Sequence, residues 1–282
     1  MAHTRMHFNS TQAYTDWALD PADPVDRQPR QMYYGGLRSE NGRSSVQRAR
    51  DGALLLSSGT LEGLDEANKL LNEFQERIEV PTYTWEHSMA GAFPDVPYFL
   101  SGIPDAMYAP TPTTSDHTPL RVWVGVMSTW SITEAQLRRR GAALAAFVIA
   151  MYNVRPVYIT PFTGAGDGFS RRYGQAPASS LISWDIQTSP LVMSQLLASL
   201  THPSVTRYLC MPANYKANHG CDNPSWPFHP DDHSPTRMRE NLGCAPNDLY
   251  IPTIHQSDPL LDNPVQWLRE HIARYTNAEQ ES

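Results

Sequence analysis

With 282 residues, 40% of them hydrophobic, the chain can bury one large core or two small ones. A formal charge of −7 argues against non-specific coating of duplex DNA, a mode that relies on excess Lys and Arg to release counterions. Twenty-four prolines, sixteen glycines and only 18% charged residues argue against a coiled coil or a repeat array and imply fixed turns and long ordered connections.

The first segment, Phe8 to Leu19, is predicted as a short helix, ended by the prolines of Asp20 to Pro29. Arg27 to Arg50 follows as the one basic stretch, with Arg27, Arg30, Arg38, Arg43, Arg48 and Arg50 against Glu40 alone, interleaved with Tyr33 and Tyr34. Ser44 to Leu56 and Leu61 to Ile78 have helical spacing and are expected to pack as a hairpin around Ser57 to Thr60. Pro81 to Trp85 alternates like a short strand, Phe93 to Met107 reads as turns around a short helix, and Pro110 to Pro119 marks a boundary. The expected division is residues 1–118, a mostly helical and turn-rich region, and 119–282, an α/β domain.

In the second part, Leu120 to Met127 (LRVWVGVM) suits a strand buried on both faces, with Trp123 inside and Trp130 exposed in the loop beyond it. A long helix is predicted over Thr133 to Tyr152, capped by Ser131 or Thr133. Pro156 to Phe162, Leu181 to Ile186, Arg207 to Met211 and Leu249 to Ile254 are further strand candidates, and Pro190 to Leu200 and Pro264 to Tyr275 further helices. This alternation predicts an α/β fold with a mainly parallel sheet and helices on both faces.

The longest apolar stretch, Ala142 to Tyr152, is well short of the about 20 residues a membrane-spanning helix needs, so a soluble protein is expected. Cys210, Cys221 and Cys244 are odd in number and Met1 to Asp16 has no apolar signal core, which points to a reducing cytoplasm. Apart from Lys69 and Lys216 the positive charge is all arginine, the residue suited to planar, bidentate and stacking contacts.

The phrase RVWVGVMSTWSITEAQLRRRGAALAAFVIAMYNVRPVYIT resembles a von Willebrand factor A domain. With GAFPDVPYFLSGIPDAM before it, the stretch from Trp85 to Tyr275 resembles an uncharacterised family of bacteriophage and plasmid proteins. Domains of the von Willebrand A type commonly hold a divalent cation through Asp-x-Ser-x-Ser after the first strand; here that position reads Gly125, Val126, Met127, Ser128, Thr129, so no metal site is carried over. The resemblance leaves a ligand edge outside the carboxyl ends of the strands, holding Ser128 to Ser131, Thr163 to Gln175, Asp185 to Ser189 and Pro212 to Asn247.

Three chemistries compete for that edge. His219, Cys221, His229, Asp231, Asp232, His233 and Cys244 could in part hold zinc, but without the knuckle spacing of a zinc finger they read as a polar loop. The TGAGDG turn at Thr163 to Gly168 lacks the Lys-Ser/Thr pair of a phosphate loop, and no serine or cysteine lies in a nucleophile motif. Phe169, Arg171, Arg172 and Tyr173 combine aromatic faces with guanidinium groups, the chemistry of sequence-tolerant single-strand binding, as do Arg27, Arg30, Tyr33, Tyr34, Arg38, Arg43 and Arg48. The triple Arg138, Arg139 and Arg140 reads instead as a solvated or ion-paired helix face.

The expected protein is therefore non-enzymatic, without cofactor, and binds single-stranded DNA in the cytoplasm of a phage-infected host, with a phage RNA polymerase or replication machinery as a further partner. The alternatives are a protein-binding adaptor or structural module on a metal-free von Willebrand A-like scaffold, and a metal-dependent enzyme using the His/Cys loop.

Overall fold

The computed structural model describes residues 3–20, 45–75, 84–89, 93–111, 118–128, 131–152, 154–166, 179–187, 191–217, 226–227 and 235–277. The chain opens with strand β1 (His3–Phe8) and enters helix α1 (Thr11–Ala18) at Ser10, whose hydroxyl accepts from the Ala13 amide at 3.1 Å. Helices α2 (Ser45–Ser58) and α3 (Leu64–Gln75) follow. A separate antiparallel sheet, ordered β2-β4-β3, comes from β2 (Thr84–Ser88), β3 (Phe93–Pro94) and β4 (Met107–Thr111), with the short helix α4 (Val96–Leu100) set between β3 and β4.

The central unit is β5 (Leu120–Gly125), the long helix α5 (Glu134–Tyr152) and β6 (Val157–Gly166). Thr133 starts the helix: its Oγ1 accepts from the Gln136 amide at 3.2 Å, while Gln136 Oε1 accepts from the Thr133 amide at 2.8 Å. Strand β7 (Ser179–Trp184) then leads to helix α6 (Met193–Thr201), a π-helical turn (Ser204–Leu209) and α7 (Cys210–Ala217). The last elements are β8 (Trp226–Pro227), α8 (Pro235–Leu242), β9 (Leu249–Ile251), α9 (Pro259–Asp262) and α10 (Pro264–Asn277).

The main sheet has the order β1-β7-β6-β5-β9, with β8 paired to the far end of β6. β5 runs parallel to both β6 and β9, and β1 runs parallel to β7, but β6 and β7 are antiparallel. The sheet is thus mostly parallel, with β6 antiparallel to β7 and to the short β8. A parallel neighbour needs a crossover, usually helical, and no helix was predicted between β6 and β7.

Helices were expected on both faces; most of those described lie on one, and α8 lies on the other. On the first face Val122, Val124, Val157, Ile159, Ile182 and Trp184 meet Leu56, Leu71, Leu144, Phe147, Leu197 and Leu268 in one apolar core. That core crosses position 118, since Tyr14, Ala53, Leu56 and Leu71 share it with Val122 and Phe147. α2 and α3 do not lie chiefly on each other as a hairpin: α2 packs on the π-helical turn and α3 on α5.

Arg207 to Met211, expected as a strand, lies in the π-helical turn and the start of α7. Val205, Tyr208, Leu209 and Cys210 are buried there, and a short apolar run does not by itself separate a strand from a buried helix. Arg140, expected on a solvated face, is buried in the middle of α5. Its Nε donates to Asp258 at 2.8 Å and its terminal nitrogens to the carbonyls of Gly125 at 3.2 Å and Pro252 at 2.6 Å.

Candidate functional site on the open sheet face

Among the described residues, the side of the sheet away from the core is covered in its centre, where Met238 and Leu242 of α8 cap Trp123, Phe162 and Leu181. The pleat sends alternate residues to this side: Arg5 and His7 of β1, Ser183 of β7, Tyr158 and Thr160 of β6, and Arg121 and Trp123 of β5. Trp123 is buried as expected and donates through Nε1 to Asp248 at 2.8 Å; Trp130 lies outside the described residues.

Register assembles a cluster that no short motif announces. β1 and β7 pair His7 with Ser183, and the ring Nδ1 and the hydroxyl are hydrogen-bonded at 3.0 Å. The same ring lies 3.4 Å from Asp185, whose carboxylate also accepts from the Thr160 hydroxyl at 2.7 Å. Arg121 Nη1 approaches Asp185 at 3.9 Å, and its guanidinium stands over two rings, Trp123 at 5.5 Å and Tyr158 at 6.0 Å. Tyr158 is 47% exposed.

A histidine between a serine hydroxyl and a carboxylate invites a hydrolytic reading, which the surroundings oppose. Ser183 is buried, and β7 is flanked on both sides by paired strands, so its backbone N–H groups are engaged in the ladders. They cannot turn to receive an oxyanion. The cluster instead ties β1, β5, β6 and β7 together and leaves Arg121, Tyr158, Arg5 and His7 facing outward.

The carboxyl ends of the strands, the edge favoured by the sequence, are packed shut at β5 and β9. A Cβ on Gly125 would come within 2.5 Å of the Thr253 amide nitrogen, so only glycine allows that approach. Ser128 Oγ accepts from Arg207 Nε at 3.1 Å. Beside it, Met127 Sδ accepts from Thr163, and Thr163 accepts from Asn214 at 2.9 Å.

Of the sequence-predicted binding residues, Arg48 is placed: it donates to the Tyr208 hydroxyl and its guanidinium lies 4.7 Å from that ring's centre, joining α2 to the π-helical turn. Arg27, Arg30, Tyr33, Tyr34, Arg38, Arg43, Phe169, Arg171, Arg172 and Tyr173 lie outside the described residues, as do His219, Cys221, His229, Asp231, Asp232 and His233. Burial pushes the Cys210 thiol up to about 12 and the Cys244 thiol up to about 11, so neither is a ready nucleophile near neutral pH. Among the described residues no group of three or more His, Cys, Asp or Glu is placed to hold a metal ion, and no helix is long and apolar enough to cross a membrane.

Fold and site together define an α/β protein with one helix-clad sheet face and one partly open, arginine- and tyrosine-bearing face. The chain belongs to the family described as a domain of unknown function, DUF7192, which matches it over residues 2–275 and so takes in both sheets. No curated protein and no solved structure is significantly similar to it.

Proposed function

We propose that the protein binds single-stranded DNA without chemically altering it, as an accessory factor in the replication or transcription of a bacteriophage. The observation that supports this best is Arg121, stacked over Trp123 and over the exposed Tyr158 on the open sheet face. A base has a π-face whatever its identity, and a backbone phosphate can pair with a guanidinium already aligned beside the ring. Because the whole chain is acidic, its cations must be gathered locally to serve this purpose, and Arg5 extends the same face.

The arginine-rich segments read from the sequence fall largely in two links of the chain outside the described residues. Residues 167–178 link the end of β6 to the start of β7, and residues 21–44 link α1 to α2. The von Willebrand A likeness of the β5-α5-β6 unit rests on the sequence resemblance, and recruitment of a phage RNA polymerase on analogy with accessory proteins of phages that carry their own polymerase.

The test is titration of a fluorescent oligodeoxythymidine at two salt concentrations. Tyr158→Ala is expected to weaken binding by about 1–3 kcal/mol with little change in salt slope. Arg121→Ala is expected to lower the slope by about 0.7, the value for one lost phosphate contact on a single strand. A parent protein that does not bind the oligonucleotide, or variants that bind it as the parent does, would remove this face from consideration.

A further inference from the structure

We infer that α4 and the small β2-β4-β3 sheet form a docking surface for a partner protein that presents an apolar face edged by lysine or arginine. On α4, Val96, Phe99 and Leu100 stand at positions i, i+3 and i+4, the spacing that lines up one helical stripe, and Ile103 follows the turn after the helix. In the folded chain such a stripe normally faces the core. Here it faces solvent, with Val96 56%, Phe99 68%, Leu100 79% and Ile103 40% exposed. Met89, beyond the end of β2, adds a further exposed apolar side chain.

Local contacts hold the stripe outward. Asp95 Oδ1 accepts from the Tyr98 amide at 3.2 Å, and its other oxygen takes a 2.8 Å hydrogen bond from His87 Nε2. The His87 ring stacks on Tyr98 with centroids 4.3 Å apart. At the far end Ser101 Oγ donates to the Pro97 carbonyl at 2.8 Å, and Gly102 turns the chain at φ +71° with open space around its α-carbon. The Ile103 amide closes the turn onto the Tyr98 carbonyl at 3.1 Å. Apolar side chains fixed in place at the surface lose little freedom on binding, which favours a specific partner over a loose collapse.

Charge selects the partner's chemistry. From Arg77 to Arg121 the chain carries no intervening Lys or Arg, while Glu79, Glu86, Asp95, Asp105 and Asp116 all fall in that interval. An apolar stripe in an acidic stretch is complemented by an apolar stripe with a basic rim. It repels the acidic backbone of a nucleic acid, so this surface is independent of the DNA-binding face.

The experiment uses the full chain and a helical leucine–lysine peptide, with a leucine–glutamate peptide of the same pattern as its counterpart, each followed by fluorescence anisotropy. The parent is expected to bind the lysine peptide and not the glutamate one. Phe99→Ser with Leu100→Ser is expected to weaken lysine-peptide binding about tenfold or more while leaving the melting curve and oligodeoxythymidine binding unchanged. Equal binding of both peptides by the parent, or equal binding of the lysine peptide by parent and variant, overturns the inference. So does a concentration-dependent dimer of the parent that the variant abolishes, since the occupant is then a second copy of the chain.

Discussion

Replacing Arg140 by Ala is expected to destabilise the protein by about 3–5 kcal/mol, read as a lowered denaturant midpoint at unchanged slope. The guanidinium is buried, and burial lowers its pKa against the opposing pull of Asp258. It joins α5 to the carbonyls of Gly125 and Pro252, at the ends of β5 and β9, and to the Asp258 carboxylate. Asp258 has a second duty, since its Oδ1 accepts from the Leu260 amide at 2.9 Å at the start of α9. Without Arg140 the buried Asp258 carboxylate loses its charged partner and the two carbonyls lose a donor at once. Arg140→Met combined with Asp258→Asn removes both charges and keeps a capping oxygen, so the pair should cost less than Arg140→Ala alone. If the pair costs as much, the carbonyl hydrogen bonds dominate and the charge interaction contributes little.

Trp184→Ala is expected to cost about 3–5 kcal/mol, the range for emptying a large aromatic site in a core. Trp184 is fully buried on β7 and stacks on Tyr14 of α1, with centroids 4.3 Å apart and planes 9° from parallel. Phe8 and Trp17 pack around Tyr14, so this stack is where the N-terminal strand and helix are held to the sheet. Trp184→Phe should be far milder, because the indole N–H has no hydrogen-bond partner among the described residues and nothing polar is lost with it. A cycle with Tyr14→Ala should show a coupling of about 0.5–1.5 kcal/mol, and limited proteolysis of Trp184→Ala should cut between α1 and α2 sooner than in the parent. An unchanged cutting rate would mean that β1 pairing alone secures the segment.

The β5-α5-β6 unit was legible because each part carries its own signal: a run of β-branched residues for β5, an uninterrupted helical stretch closed by Tyr152, and a second strand directly after it. β1 was not legible. In HTRMHF only Met6 and Phe8 are apolar, too few to establish an alternation, and Phe8 was absorbed into the predicted helix that starts there. Arg140 was hidden by its neighbours: three consecutive arginines look like surface, yet Arg138 and Arg139 are exposed and Arg140 points 100° away from Arg139, into the core.

The open face was half legible. The alternation of LRVWVGVM and PVYITPF already sets Arg121 and Trp123, and Tyr158 and Thr160, on common sides of their strands. That His7 and Asp185 meet them depends on a pairing of the first strand with a distant one, and no local pattern encodes a register. The apolar stripe of α4 was visible as spacing, but spacing alone assigns such a stripe to a core.

The order in which the chain leaves the ribosome bears on β1. Its hydrogen-bonded partner strand lies far downstream, His7 meeting Ser183 across a separation of 176 residues. At a synthesis rate of roughly 5–20 residues per second, β1 and the Phe8, Tyr14 and Trp17 cluster wait on the order of 10–35 s for the strand that receives them. For that interval a strand with an apolar side and unpaired edges, followed by two aromatic side chains, is open to other nascent chains. The N-terminal segment therefore waits longer for its partner than β5 does for β9, and overexpression at high temperature should show its losses there first, as aggregation during synthesis rather than as unfolding of the finished protein.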